Sequence, residues 1–363
     1  MSEDYDVRPY RPGDEEEIVE LLQLVFKGWP KFNLKCSSLD HWKWKYLDNP
    51  LKNFTIVVAT SENEVVGCAH YVYQRAKIAN DTFLFPQGAD AAVHPNFRRL
   101  GIHNNMRELR RRLGRKLGAL EHYSVSANPI LIDRNIRSGS PQFPHPVNIF
   151  VRIQDIDRHL EMMPTKNPWL KKYGFLIMKS LNKMRNFYGT YKPITQDVQV
   201  SRIVNFNYGM DKFWTEVKEH YDFIIDRNRD RLRWRYCDPR GGEYTIEQAE
   251  ENGKVLGYMV LRIVRAVEDY LVGYVVDLLS LPGRSDVADA LLTESLEYFD
   301  KEGVNIITGL FIKDHPVKEI LDKHGFLNSR ERINIFTWAS EMNKIKTSTR
   351  SKIHFSLGDF DHV

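Results

Sequence analysis

The chain has 363 residues, of which 42% are hydrophobic and 28% are charged, with a formal net charge of +4. This is the composition of a folded globular protein, and at roughly 100–200 residues per domain the length predicts two domains. The charge is too small to indicate nucleic-acid binding, no apolar stretch is long enough to span a membrane, and the acidic start does not resemble a secretory signal. Three scattered cysteines and the lack of a CxxC or HExxH pattern favour a cytoplasmic protein with reduced thiols and no metal site.

The first part of the chain predicts a mixed order of strands and helices. In chain order these are a strand at 7–9, a helix from about 14, a helical stretch at 40–46, strands at 54–59, 65–73 and 89–93, a helix at 101–117, a strand at 122–126, a short helix ending near 139, and a last strand at 147–153. Antiparallel strands followed by a strand-helix-strand crossover are typical of a mixed α/β (α+β) sheet flanked by helices.

The chain repeats itself. Residues 40–48 resemble residues 230–238 at an offset of 190, and residues 148–150 resemble residues 334–336 at an offset of 186. A slowly drifting offset indicates two copies of one fold separated by small loop deletions. Trp44 and Trp234 recur in both copies, which favours core packing over a ligand cage.

These patterns predict four segments: a first copy at 1–154, a basic amphipathic helical linker at 155–199, a second copy at 200–340, and a polar tail at 341–363 that we expect to be poorly ordered. The linker admits three interpretations. It is a strap between the copies, an interfacial helix at 166–192 that contacts a membrane or lipid-linked substrate, or a surface for an acidic partner or RNA. No RNA-binding motif accompanies it.

The most informative stretch follows the strand at 89–93. Val93-His94-Pro95 ends the strand, Arg98 and Arg99 follow in a short turn, and a helix opens at Gly101. The unpaired backbone N–H groups and partial positive charge of a helix N-terminus suit a phosphate or pyrophosphate, and glycine permits close approach of the backbone. Neither a P-loop nor a GxGxxG fingerprint is present.

Arg98-Arg99-Leu100-Gly101-Ile102-His103 resembles the Arg/Gln-x-x-Gly-x-Gly/Ala pyrophosphate loop of the GNAT N-acetyltransferase superfamily. The Val93-His94-Pro95 strand end, the opening Val7-Arg8-Pro9 and the Asn128…Asn135…Gly139 spacing are similar to that family as well. The resemblance implies two tandem GNAT-like domains, each with a mostly antiparallel mixed sheet flanked by helices, and acetyl-CoA as co-substrate without a metal. The cofactor-binding residues that it implies are Ala92, Val93, His94, Arg98, Arg99, Leu100, Gly101, Ile102, His103, Asn104 and Asn128.

The resemblance implies transfer of an acetyl group from acetyl-CoA to a primary amine of a small molecule or peptide. A backbone N–H near Val93 would polarise the thioester carbonyl, and Asp90, His122 and Tyr123 are the candidate catalytic residues. Asp90 and His122 are candidate bases, and Tyr123 is a candidate proton donor, although each also suits a structural role. Asn135 stands where many members have a general-acid tyrosine, so the alternative is a non-catalytic sensor of acyl-CoA or a metabolite.

The second copy departs from the loop pattern. It has Pro282-Gly283-Arg284 followed by Asp286 and Asp289 where the first copy has its basic turn. Carboxylates at a helix N-terminus occupy the place that favours a phosphate. We therefore expect the second copy to be degenerate and to bind no cofactor, the alternative being that Gly283 and Arg284 form a divergent loop.

Overall fold

The computed structural model describes residues 4–31, 34–126, 129–137, 139–143, 145, 147–162, 197–312, 315–345 and 352–360. Asn128 lies outside the described residues. So does 163–196, which contains most of the predicted linker and the whole of the predicted membrane-contact segment at 166–192. Within the described part, none of the helices is both long and apolar enough to cross a bilayer.

The first copy contains the predicted elements in the predicted order. Its helices are α1 (Glu15–Phe26), α2 (Ser38–Tyr46), α3 (Ile102–Lys116), α4 (Pro129–Arg137) and α5 (Ile156–Met162). Its strands are β1 (Asp6–Pro9), β2 (Thr55–Ser61), β3 (Glu64–Ile78), β4 (Asp81–Val93), β5 (Tyr123–Ser126) and β6 (Val147–Ile153). Strands β3 and β4 are longer than predicted because they form one extended antiparallel hairpin, in which Ile78 lies opposite Asp81.

The second copy repeats this order. Its helices are α6 (Gly209–Val217), α7 (Arg229–Leu232), α8 (Ser285–Lys301) and α9 (Lys318–Lys323). Its strands are β7 (Gln199–Ile203), β8 (Phe223–Ile225), β9 (Thr245–Glu251), β10 (Lys254–Val267), β11 (Tyr270–Ser280), β12 (Ile306–Ile312) and β13 (Leu327–Thr337), and the chain adds the short β14 (Ile353–His354). The mixed α/β fold class is confirmed.

The strands of the two copies form one sheet rather than two. Its order is β1-β2-β3-β4-β5-β13-β6-β12-β11-β10-β9-β7, with β8 and β14 paired to one another off this path. The copies exchange their last strands. Strand β13 of the second copy pairs with β5, and β6 of the first copy pairs with β12. The prediction that β6 closes the first copy was therefore wrong, because β6 completes the sheet of the second copy.

The exchange is symmetric. Asn334 of β13 lies opposite Ser126 of β5, and its counterpart Asn148 of β6 lies opposite Phe311 of β12. Both pairs are antiparallel, and β13 and β6 also pair with one another at the centre of the sheet. A pseudo-twofold axis therefore relates the two copies.

The last residues described are buried, which corrects the prediction of a poorly ordered tail. Strand β14 pairs with β8, and β8 pairs with the end of β3. The side chain of Phe355 packs against the rings of Tyr123, Phe143 and Phe223. Although 341–363 is polar overall, six of its described apolar side chains pack into the core, namely Met342, Ile345, Ile353, Phe355, Leu357 and Phe360.

Candidate functional site

Strands β4 and β5 separate soon after they meet. The two strands run parallel, and Gln87 opposite Tyr123 is the one pair in register among the described residues. Beyond this point β4 continues along β3 as far as Val93. Because His94 donates its N–H to Val66 on β3, the neighbouring Val93 directs its backbone N–H and C=O toward the opposite edge. The result is a slot beside β4 with backbone polar groups along its wall.

The slot leads to the N-terminus of α3. Gly101 has a φ of +84° and precedes the first helical residue, Ile102. The hydroxyl of Tyr5 donates to the carbonyl of Leu100 at 3.1 Å and accepts from the amide of Asn105 at 2.8 Å. These bonds fix the turn on its outer side, so the first N–H groups of α3 face solvent at the mouth of the slot.

The cofactor-binding residues predicted for this region lie together at the slot and the turn. Ala92 and Ile102 are buried, Val93 and His94 are half-buried, and the exposed ones are Arg98, Arg99, Leu100, Gly101, His103 and Asn104. Ile102 anchors the helix start, since its side chain reaches the surface of Gly67 on β3. The predicted Asn128 lies outside the described residues.

The basic turn of the first copy has free cations. Among the described residues, no carboxylate lies within ion-pair distance of Arg98 or Arg99. In the second copy, Arg284 donates to Asp286 at 2.8 Å and to Glu251 at 2.9 Å, while Asp289 accepts from Lys323 and bonds His324. The second-copy turn is thus neutralised internally, and Asp286 lies in the first turn of α8, where an anion would bind.

A cavity nevertheless exists in the second copy at the matching place. It has a volume of about 330 Å³ and lies between the end of β11, the turn at Gly283 and Ile320 of α9. Apolar side chains form most of its wall, including Leu278, Leu281, Pro282 and Val317. The second copy thus has a cavity at this place beside a turn whose arginine is already paired with carboxylates.

Asp90 lies on a β-bulge at the deep end of the slot. Two residues of β4, Asp90 and Ala91, lie opposite Ala69 of β3, and Asp90 has a φ of +40°. Its carboxylate accepts from the ammonium of Lys45 at 2.6 Å and from the hydroxyl of Tyr46 at 2.5 Å. Both donors come from α2, so this salt bridge joins α2 to the bulge.

The matching acid of the second copy is also held by a cation. Asp277, 187 positions after Asp90, accepts from Arg227 at 2.8 Å and from the hydroxyl of Tyr258 at 2.7 Å. Arg227 is fully buried and also pairs with Asp359 of the tail. Asp277 thus makes a buried ion pair in the second copy, whose turn is neutralised. The equivalent Asp90 therefore also suits a structural role.

His122 lies where β4 and β5 meet. Its ring stacks on Trp338 with 4.5 Å between centroids, and its Nδ1 lies 3.1 Å from the hydroxyl of Tyr71. Burial, followed by the charges of Arg110 and Arg111, holds the pKa of His122 well below its usual range. The imidazole is therefore neutral at pH 7.

Tyr123 and Asn135 have defined surroundings too. The hydroxyl of Tyr123 donates to the carbonyl of Asp359 at 2.6 Å, and the amide of Gln74 contacts the same hydroxyl. Asn135 lies on α4, two residues before the helix ends. Neither residue presents a phenol to the slot, whereas Asp90 and His122 both border it.

Sequence reasoning missed three residues near the slot, Lys45, Tyr46 and Arg231. Lys45 and Tyr46 lie on α2 in the middle of the repeated pattern, and their link to Asp90 spans some 45 positions of sequence. Arg231 lies in the matching pattern of the second copy and lines a cavity between the copies. The duplicated pattern was the available signal, since it brings both segments to the pseudo-twofold axis.

Comparison with known proteins defines the class of this fold and site. Residues 6–117 match the family model described as an acetyltransferase (GNAT) domain. The matched residues include β4 and the turn at Gly101, and they end before β5, the other strand beside the slot. No curated protein matches the chain by sequence.

Solved structures of low sequence identity share the fold over nearly the whole chain. A probable N-acyltransferase from Enterococcus faecalis V583 is 10% identical, with a TM-score of 0.62, over 94% of this chain and 74% of its own. A tandem GNAT protein from the clavulanic acid biosynthesis pathway is 15% identical, with a TM-score of 0.54, over 93% of this chain and 98% of its own. Saccharomyces cerevisiae N-myristoyltransferase with bound myristoyl-CoA is 10% identical, with a TM-score of 0.58, over 93% of this chain and 82% of its own. The chain has a tandem GNAT fold.

Proposed function

We propose that the protein is an N-acyltransferase that moves an acetyl group from acetyl-CoA to a primary amine. The observation that carries this proposal is the slot between β4 and β5, which opens at the N-terminus of α3 beside Arg98 and Arg99, neither of which pairs with a carboxylate among the described residues. A pyrophosphate suits the N–H groups of that helix and the two guanidinium groups. The solved structures of similar fold include a probable N-acyltransferase and a tandem GNAT protein, which supports the same class of reaction.

The length of β4 sets where the thioester would lie. With the pyrophosphate at Gly101, the pantetheine arm runs back along β4 and bonds its free edge as an added strand would. From Val93 back to Gln87 is six residues, or about 20 Å at the rise of a strand. The thioester then lies near the point where β4 and β5 meet, deeper than the N–H near Val93 that the sequence suggested.

In the reaction, the amine nitrogen attacks the thioester carbonyl, the C–N bond forms, and the C–S bond breaks. The nitrogen loses a proton to a base, and the coenzyme A thiolate takes up a proton from solvent or a donor. Among the candidates, we assign the proton acceptor to His122, because its ring lies next to Gly88 on β4, whereas the carboxylate of Asp90 is held by Lys45 and Tyr46. Asp90 would position the bulge, and Tyr123 would hold the tail against the sheet.

One observation favours the alternative of a non-catalytic sensor of acyl-CoA. The hydroxyl of Tyr123 already donates to the carbonyl of Asp359, and Asn135 has no phenol. No tyrosine among the candidates is thus available to protonate the leaving thiolate.

Release of free thiol from acetyl-CoA decides between the two. The assay uses the full chain with a panel of amines, amino sugars and peptides, and Gly101→Glu is the control for background hydrolysis. The proposal expects acceptor-dependent thiol release by the wild type only. Tight binding of acetyl-CoA without thiol release for any acceptor would instead establish the sensor.

A further inference from the structure

A cavity lies on the pseudo-twofold axis between the two copies. It has a volume of about 30 Å³ and adjoins a second cavity of about 200 Å³, with Gln74, Arg231 and Trp234 in the walls of both. Its walls contain equivalent residues of the two copies, in the pairs His41 and Arg231, Trp44 and Trp234, and Lys45 and Arg235. The first cavity alone has room for about one water, whereas the second has room for a small molecule.

The cavity adjoins the end of the slot. Gln87, the residue of β4 that pairs with β5, forms part of its wall. Lys45 also lines it and holds Asp90 of the bulge through its ammonium group. A molecule in this cavity would therefore approach the proposed position of the thioester from the side of α2.

Most charges around the cavity are compensated by a neighbour. Lys45 is paired with Asp90, and Asp359 is paired with Arg227. Arg235 donates to two neutral oxygens, the hydroxyl of Tyr244 and the carbonyl of Phe360. Burial lowers the pKa of His41 to about 4, so this ring is neutral at pH 7.

Arg231 is the exception. Only 9% of this residue is exposed, yet the one carboxylate within 4 Å among the described residues is that of Asp359, at 3.8 Å. That distance is too long for a hydrogen bond, and Asp359 is already engaged by Arg227. The nearby Asp226 accepts instead from the backbone and side chain of Asn228.

A buried guanidinium without a close partner is costly unless a ligand completes it. We propose that the two adjoining cavities together form the acceptor site and that Arg231, which lines both, binds an anionic group of the acceptor. The acceptor is then an aliphatic amine that also carries a carboxylate or phosphate, whose two oxygens match the fork of the guanidinium. The statement that the ligand is the acceptor rests on the proposed function, whereas the anion site itself rests on Arg231 alone.

Equilibrium binding tests the proposal without requiring turnover. Three ligands with two methylenes between the amine and the terminal group are titrated by calorimetry against the full chain: 3-aminopropanoate, 2-aminoethylphosphonate and 3-aminopropanamide. We expect the wild type to bind at least one of the two anions at least about tenfold more tightly than the neutral amide. The anion that binds more tightly identifies the acidic group of the acceptor as a carboxylate or a phosphate.

Arg231→Gln should abolish this preference, and Arg231→Lys should retain part of it. Arg229→Gln is the matched control, since Arg229 lies on the same helix, contacts Tyr208 and Asp211, and does not line the cavity. Binding of acetyl-CoA by each variant shows that it has folded. Equal affinity of the wild type for all three ligands, no binding of any of them, or an unchanged preference in Arg231→Gln overturns the proposal.

The result separates this inference from the proposed function. Anion-selective binding without thiol release from acetyl-CoA would remove the transferase and leave the anion site. Thiol release that is equally fast with anionic and neutral amines would support the transferase and remove the anion site.

Discussion

Trp44 and Trp234 stack on each other and exchange hydrogen bonds. Their ring centroids are 4.9 Å apart and their planes differ by 21°. The indole N–H of Trp44 donates to the carbonyl of Trp234 at 3.0 Å, and that of Trp234 donates to the carbonyl of Trp44 at 3.1 Å. The two residues are 190 positions apart and equivalent in the repeat, so this pair lies on the pseudo-twofold axis and joins the copies.

Replacing either tryptophan by alanine should destabilise the whole chain. Trp44→Ala removes a buried ring and one of the two hydrogen bonds, which should cost about 3–5 kcal/mol of unfolding free energy. Because the partners are in contact, the double variant with Trp234→Ala should cost less than the sum by about 1 kcal/mol or more. Urea denaturation of the wild type, both single variants and the double variant measures this coupling, and strict additivity would contradict the joining role of the pair.

Gly101→Glu should greatly weaken binding of acetyl-CoA. The substitution strains a residue at φ +84° and places a carboxylate where the pyrophosphate is proposed to bind. Gly283→Glu is the matched control, because Gly283 has a φ of +79° in the equivalent turn of the second copy. Calorimetry should give one site per wild-type chain, little change for Gly283→Glu and at least about a tenfold loss for Gly101→Glu. Two equivalent sites per chain would show that the second copy also binds the cofactor.

His122→Gln should lower kcat while acetyl-CoA affinity stays close to that of the wild type. Glutamine cannot accept the amine proton, and general-base catalysis contributes about 10²–10⁴-fold. Asp90→Asn should act differently, since it leaves the buried ammonium of Lys45 without its anion and so lowers the thermal midpoint. Steady-state kinetics and thermal unfolding of both variants distinguish these effects. A full kcat in His122→Gln would remove it as the base.

Acid should destabilise the protein between pH 6.5 and about 4. Burial lowers the pKa of both His41 and His70 to about 4, whereas an unfolded histidine has a pKa of about 6.5. In this window the unfolded chain binds protons that the folded chain excludes, so unfolding becomes more favourable as the pH falls. The stabilisation is complete above pH 6.5 and is lost as the pH approaches 4.

The free energy of unfolding, measured in urea at several pH values, should therefore show a slope that His70→Gln reduces. The hydrogen bonds assign His70 a donating Nδ1, to the carbonyl of Asp90, and an accepting Nε2, from the indole of Trp42. The amide of glutamine also has one hydrogen-bond donor group and one acceptor, which is why His70→Gln is chosen. The exposed His220→Gln serves as the control, and an unchanged slope in His70→Gln would contradict the assignment.

The sequence predicts local features of this protein well. The turn at Gly101 and the helix behind it follow from residues within about ten positions of one another, and β6 begins and ends where its apolar pattern does. The strand that pairs with β6 does not follow from local sequence, because β5 and β12 offer nearly equivalent edges and only the assembled sheet selects between them. Likewise, the donors to Asp90 and the solitary Arg231 depend on contacts between distant segments.

The exchange of β6 and β13 means that neither copy is complete without the other. Each half contributes the strand that closes its neighbour, which is the arrangement of a domain-swapped homodimer whose two subunits have become one polypeptide. A protease cut between the halves would thus leave them interlocked by two strands and by the Trp44–Trp234 pair. Separately expressed halves would each lack a closing strand and present two open sheet edges, whereas coexpressed halves should find each other and restore one molecule.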